Sequence, residues 1–141
     1  RKRSLYCFHF TEKDAYRKLI IMKKILIVDD EPNIVMSLEY TFKKNNFEVF
    51  IARDGQEALD ILKSNYPDVI ILDVMMPMVD GFATLEQIRK DANLQHTKVM
   101  FLSAKNKESD IEKGMALGAD AYMTKPFSIK KVVDKVLELL S

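Results

Sequence analysis

Asp29 and Asp30 close one short apolar run, Asp73 closes another, Ser103 closes a third and Lys125 a fourth. Where such run ends lie side by side, three carboxylates converge. Two like charges about 5 Å apart repel by roughly 3 kcal/mol at an effective dielectric near 20, so the cluster demands a cation. Lys125 supplies one. A small hard ion supplies the other, because a few carboxylates with water and phosphate oxygens in the remaining positions suit magnesium better than zinc or calcium. A helix cap or turn accounts for any one Asp at a strand end. It does not account for Asp73, which Val74 to Val79 separate from Asp80-Gly81, too far to cap the helix that follows.

The elements that must position these groups follow from periodicity. Ile25 to Val28, Val69 to Leu72 and Val99 to Leu102 are unbroken apolar runs, as in strands covered on both faces, and are read as central. Phe47 to Ala52 and Ala121 to Thr124 are interrupted by Glu48 and Thr124 and suit the two edges. Between the runs, Ile34, Leu38 and Phe42 recur at helical spacing after Pro32. Asp54 with Glu57 resembles a capping box before Ala58, Leu59 and Leu62, and Asp80 precedes Phe82, Leu85 and Ile88. Ile111 and Met115 begin a fourth helix that Gly118 can end, and Ser128 caps a fifth with Val132, Val133, Val136 and Leu140 inward. Strands alternating with helices imply a doubly wound α/β fold, a (βα)5 flavodoxin-like parallel sheet in the order 2-1-3-4-5. Its working site lies at the carboxyl ends of the strands.

Bulk properties bound the rest. The 141 residues fit one domain, 48% of them are apolar, and net charge is +1. Residues 1 to 21 hold six Lys/Arg against two acids, which leaves 16 basic and 19 acidic residues in the remainder. That mildly acidic body argues against a nucleic-acid surface. No apolar run approaches the roughly 20 residues of a membrane span, and the expectation is a cytoplasmic protein. The single cysteine, Cys7, has no partner in the chain. Residues 1 to 21 read as an N-terminal extension, an upstream or appended piece, and Met22 as a native start. Residues 22 to 141 read as the functional domain. His9 and His96 sit in polar surroundings and are read as solvated.

Four segments together, Val28-Asp29-Asp30-Glu31-Pro32, Leu72-Asp73-Val74-Met75-Met76-Pro77-Met78-Val79-Asp80-Gly81, Leu102-Ser103-Ala104 and Lys125-Pro126-Phe127, resemble the signature segments of bacterial two-component response-regulator receiver domains of the chemotaxis-receiver type. The resemblance covers residues 23 to 140. It implies that Asp73 takes a phosphoryl group from the phosphohistidine of a histidine kinase or histidine phosphotransfer protein. It implies magnesium held by Asp30, Asp73 and the backbone carbonyl of Met75, with Asp29 acting through bound water. Lys125 would meet a phosphoryl oxygen, and Ser103 would hydrogen-bond the new group while Tyr122 swings inward, altering the face of helix four, strand five and helix five. The resemblance further implies a cis Lys125-Pro126 peptide and a tuning of phosphate lifetime by Met75 and Lys105. Such a domain is a phospho-acceptor rather than an enzyme, acts on a downstream effector and can form a phosphorylation-dependent homodimer.

The apolar loop of Met75, Met76, Met78 and Val79 has two readings, packing on neighbouring loops or kinase docking, and packing is the one taken. Two rival functions fail on the residues. A haloacid-dehalogenase-like phosphatase needs Asp-x-Asp after its first strand, where this chain has Asp29-Asp30-Glu31. A flavodoxin needs a phosphate loop there, and Asp-Asp-Glu-Pro would repel flavin phosphate. The alternative that stays open is a receiver belonging to a larger DNA-binding regulator or hybrid kinase.

Overall fold

A computed structural model describes residues 22–141; the expectations for 1–21 lie outside the described residues. Among the described residues, β1 (Lys23–Val28), β2 (Phe47–Ala52), β3 (Val69–Leu72), β4 (Lys98–Ser103) and β5 (Ala121–Thr124) form one sheet in the order β2-β1-β3-β4-β5, every pair parallel. The helices are α1 (Pro32–Lys44), α2 (Gly55–Ile61), α3 (Gly81–Lys90), α4 (Glu108–Ala116) and α5 (Ile129–Leu140), with a 3₁₀ turn at Ala92–Leu94. The expected fold class and strand order are those observed. No helix among the described residues is long and apolar enough to cross a membrane.

Alternation along the central strands divides the core into two layers. Leu26, Val28, Ile70, Leu72, Val99 and Phe101 face α2 and α3, meeting Ala58, Leu62, Phe82, Leu85 and Ile88. Ile25, Ile27, Val69, Ile71, Met100 and Leu102 face α1 and α5, meeting Leu38, Phe42, Val132 and Val136. Residues that point both ways must all be apolar, which is why these strands read as unbroken hydrophobic runs.

Caps set the helix starts. Glu57 N–H donates to Asp54 Oδ1 at 2.8 Å, but the Glu57 carboxylate accepts from Arg53 N–H at 2.9 Å, one residue before the cap, so the box is offset from the usual pairing. Ala83 N–H donates to Asp80 Oδ1 and Lys131 N–H to Ser128 Oγ. The apolar residues that marked the fourth helix are not the ones that bury it. Met115 is 43% exposed and Ile111 half-buried, and the buried residue of that helix is Gly114. A Cβ there would come within 3.1 Å of the Phe101 and Tyr122 rings, so α4 meets the sheet through a bare backbone. Of the set expected inward on α5, Val132 and Val136 are buried, while Val133 and Leu140 are half-buried at the edge of the core.

Sheet hydrogen bonding runs one residue past the strands and aligns the chemistry. Asp29 N–H donates to Ala52 O at 3.1 Å, Asp73 N–H to Val28 O at 3.0 Å, and Lys125 N–H to Ser103 O at 2.9 Å. With Val28 paired to Leu72 and Ser103 to Thr124, all four run ends share the carboxyl edge of the sheet.

Candidate functional site

Ligand oxygens of Asp29, Asp30 and Asp73 all lie within 4.8 Å of one another. Asp29 is 2% exposed and Asp73 5% exposed, while Asp30 faces solvent. The set is made only of hard oxygen donors and is open on one side, so it could hold a small divalent cation. Asp29 Oδ1 also accepts from Glu31 N–H at 2.9 Å, and Asp73 Oδ1 from Met75 N–H at 3.2 Å. The two buried carboxylates, Asp29 and Asp73, are thus each fixed by the backbone two residues on.

Lys125 reaches across the edge to this cluster. Its Nζ lies 2.9 Å from Glu31 Oε1, 3.0 Å from Asp29 Oδ2 and 3.5 Å from Asp73 Oδ2. The Lys125-Pro126 peptide is cis. Burial works against the ammonium, but hydrogen bonds to Glu31 and Asp29 together with the charges of Asp29 and Asp73 outweigh it and hold the Lys125 pKa above its ordinary value. Burial pushes the Asp29 carboxyl up, against the opposing pull of Glu31 N–H and Lys125. Glu31 as a partner of Lys125 escaped the sequence reading. The signal for it was the run of three acids before Pro32, of which only two were assigned a role.

On the other flank, Ser103 is fully buried, and its Oγ accepts from Lys105 N–H at 3.2 Å. Tyr122 Oη donates to Lys105 O at 2.8 Å, and its ring lies 5.5 Å from that of Phe101. Burial, then the nearby Asp110 charge, raises the Tyr122 pKa. One peptide segment at Lys105 therefore holds both residues of the expected switch. A cleft of about 510 Å³ bordered by Met75, Met76, Phe82 and Lys105 opens beside it, and one of about 330 Å³ bordered by Asp29, Asp30, Met36 and Arg53 opens on the opposite side.

The loop after Asp73 divides. Met76 is buried at 8% exposure and Val79 is half-buried, so these pack as expected. Met75 and Met78 do not, being 56% and 86% exposed. His96 is exposed, away from the carboxylate cluster.

Residues 25–137 match the response regulator receiver domain family. The chain belongs to that family. Over 118 residues this receiver is 43% identical to the alkaline phosphatase synthesis transcriptional regulatory protein PhoP of Bacillus subtilis, a match covering 84% of the chain and 48% of that relative. The chain thus matches about half the length of the relative. Among solved structures, a Francisella response regulator receiver domain aligns with a TM-score of 0.78 at 36% identity, covering 84% of this chain and 96% of the other. The Vibrio cholerae chemotaxis response regulator CheY4 aligns with a TM-score of 0.80 at 31% identity, covering 84% and 99%.

Proposed function

We propose that Asp73 is the phospho-acceptor of a two-component phosphorelay and that the aspartyl phosphate switches the face formed by α4, β5 and α5. The observation that carries this reading is the gathering of Asp29, Asp30 and Asp73 oxygens within 4.8 Å, with the Lys125 ammonium 3.5 Å from Asp73. In the transfer, an Asp73 oxygen attacks the phosphorus of a donor phosphohistidine. An O–P bond forms, the P–N bond breaks, and its electron pair returns to the imidazole. Positioning and charge neutralisation dominate such a step. Asp73 is held for attack by Met75 N–H, and Lys125 can turn from its carboxylate partners to an arriving phosphoryl oxygen. Asp30, Asp73 and the Met75 carbonyl would hold magnesium, with Asp29 acting through its water. When bound, the ion supplies positive charge against the carboxylates and the transferring group.

Ser103 Oγ already accepts a hydrogen bond from Lys105, which leaves its proton free to donate to a phosphoryl oxygen. Movement of Ser103 would disturb the Lys105 segment that also holds Tyr122, and so carry the local charge event to α4. On this reading residues 22–141 are the receiver unit and 1–21 an extension, the setting is cytoplasmic, and the partners are a histidine kinase or phosphotransfer protein and a downstream effector. The chain is a phospho-acceptor that assists only its own phosphorylation and dephosphorylation. A second reading has one specific support. The Bacillus relative carries the name of a transcriptional regulator and is about twice as long as the matched segment, which favours a receiver that controls an attached DNA-binding part.

Intact-mass measurement after incubation with acetyl phosphate, with and without magnesium, tests the reading. Wild type should gain one phosphoryl group only with magnesium, and Asp73→Asn should gain none. No gain in folded wild type that also fails to bind beryllofluoride would leave a scaffold that works without phosphorylation.

A further inference from the structure

The Lys125 ammonium donates to Glu31 Oε1 at 2.9 Å and to Asp29 Oδ2 at 3.0 Å, while Asp73 Oδ2 stands off at 3.5 Å. With Asp73 the farthest of the three, an ammonium that moves to a phosphoryl group there draws away from at least one of the two it bonds. The partners differ in what release costs them. The Asp29 side chain is 3% exposed, and without Lys125 it would be a buried charge that has lost its cation. The Glu31 side chain is 59% exposed, so water takes over its carboxylate at little cost. Glu31 is therefore the partner that lets go.

Local structure leaves that side chain free for such a task. Glu31 occupies the N-cap of α1, yet its carboxylate makes no capping hydrogen bond, and Pro32 begins the helix. It is the Glu31 N–H, not the side chain, that fixes Asp29, at 2.9 Å. The backbone of residue 31 thus serves the carboxylate cluster, and its side chain reaches the cation across the sheet edge. A bond present in the unphosphorylated chain and absent when the phosphoryl group is transferred raises the barrier to transfer. It has no such effect on hydrolysis. In the phosphorylated chain and at the transition state of its hydrolysis alike, Lys125 is on the phosphoryl group and Glu31 is in water.

We propose that Glu31 is a positioning residue that acts through Lys125: it stands in for the phosphoryl group in the unphosphorylated chain, holds the ammonium off Asp73, and so slows phosphoryl uptake while leaving the lifetime of the aspartyl phosphate unchanged. This rests on the phospho-acceptor reading of Asp73.

The test follows phosphoryl uptake and loss by intact mass in wild type, Glu31→Gln and Glu31→Ala, at saturating magnesium, with two small donors: acetyl phosphate, and phosphoramidate, which carries less negative charge. An Asp73 oxygen attacks phosphorus in both, and acetate or ammonia leaves with the electron pair of the broken bond. Glutamine keeps the length and an acceptor oxygen but gives up the charge, and alanine gives up both. Glu31→Gln should take up the group about threefold faster than wild type from either donor, the weight of one half-exposed ion pair. Glu31→Ala should be at least as fast, and in both variants the half-life after donor removal should match wild type. A role in the fold alone would slow uptake, not speed it. Uptake in Glu31→Gln no faster than in wild type overturns the proposal. So does a gain confined to acetyl phosphate, which would make Glu31 a charge that repels the more anionic donor, or a half-life that changes as much as uptake, which would place Glu31 in the phosphorylated state. If neither donor labels wild-type Asp73, the phospho-acceptor reading falls, and the role of Glu31 with it.

Discussion

Lys125 Nζ stands 3.0 Å from Asp29 Oδ2 but 3.5 Å from Asp73 Oδ2, so the cation leans toward the carboxylate that is not the proposed nucleophile. Asp29 needs that help, because its own burial is the largest influence on it and raises its pKa above the ordinary 3.8. The linkage follows directly. Between that ordinary value and the raised folded value, the native chain binds more protons than the unfolded one, so stability falls as pH rises. Asp29→Asn, which retains an oxygen for Glu31 N–H, should therefore be more stable than wild type at pH 7 without magnesium, by about 1 kcal/mol. The gap should close as pH falls below the ordinary carboxyl range. Urea unfolding across pH checks the sign. A less stable Asp29→Asn at pH 7 would show that the pairing with Lys125 outweighs the cost of burial.

Repulsion among the three gathered carboxylates predicts the response to metal. Magnesium at about a hundredfold its Kd should stabilise wild type by about 2.7 kcal/mol, since it binds only the assembled cluster. Asp30 faces solvent, so Asp30→Asn should change metal-free stability by no more than about 0.5 kcal/mol while losing most of the magnesium response. Thermal melts followed by far-UV circular dichroism separate the two effects. An Asp30→Asn protein that still responds fully would remove Asp30 from the ligand set.

The central strands were legible because burial on both faces forces apolar runs such as Val69 to Leu72, and the four reactive strand ends followed from where those runs stop. What escaped was set by tertiary contact. The run of three acids before Pro32 marks Glu31 only as the residue that precedes a helix; the cross-sheet reach of Lys125 is what gives it a partner. Ile111 and Met115 have helical spacing, yet α4 meets the sheet at Gly114, where even a Cβ would press on the aromatic rings of Phe101 and Tyr122 at 3.1 Å. The exposure of Met75 and Met78 beside buried Met76 is equally invisible in a run of methionines, since the chain turn that parts them leaves no periodicity.

Gly81 carries a demand that side chains elsewhere cannot relieve. A Cβ at this position would overlap Asp73 O and stand 2.8 Å from Val74 Cα, while Gly81 N–H donates to Val74 O at 2.9 Å. The start of α3 thus presses on the peptide of the proposed nucleophile. Gly81→Ala should cost about 1–3 kcal/mol through backbone displacement and should slow acetyl phosphate labelling of Asp73 as well. Denaturant unfolding and intact mass, run on the same preparation under conditions where it is folded, check both. A stability loss with unaltered labelling would mean that the loop moves while Asp73 stays in place.

Arg89 tests how far the two ends of the sheet are coupled. Its Nε donates to Gly118 O at 3.0 Å, its Nη1 to Thr97 O at 2.9 Å and Leu94 O at 3.3 Å, and its Nη2 to Asp120 Oδ2 at 3.1 Å. Asp120 in turn accepts from Val99 N–H, so one guanidinium ties the end of α3 to the entry of β4 and to the turn between α4 and β5. A lysine offers no planar fork to bond three carbonyls and a carboxylate together. Arg89→Lys should therefore lose about 2 kcal/mol, close to the loss in Arg89→Ala. Amide exchange should quicken at Ala119 and Asp120, whose N–H groups bond Gly114 O and Val99 O across that turn. Magnesium affinity, read by calorimetry, should stay within about twofold of wild type, because the carboxylate cluster sits at the opposite edge and such distant sites are usually independent. A larger change would show that α4 transmits strain along its length between the Arg89 contacts and the Lys105 segment that holds Ser103 and Tyr122.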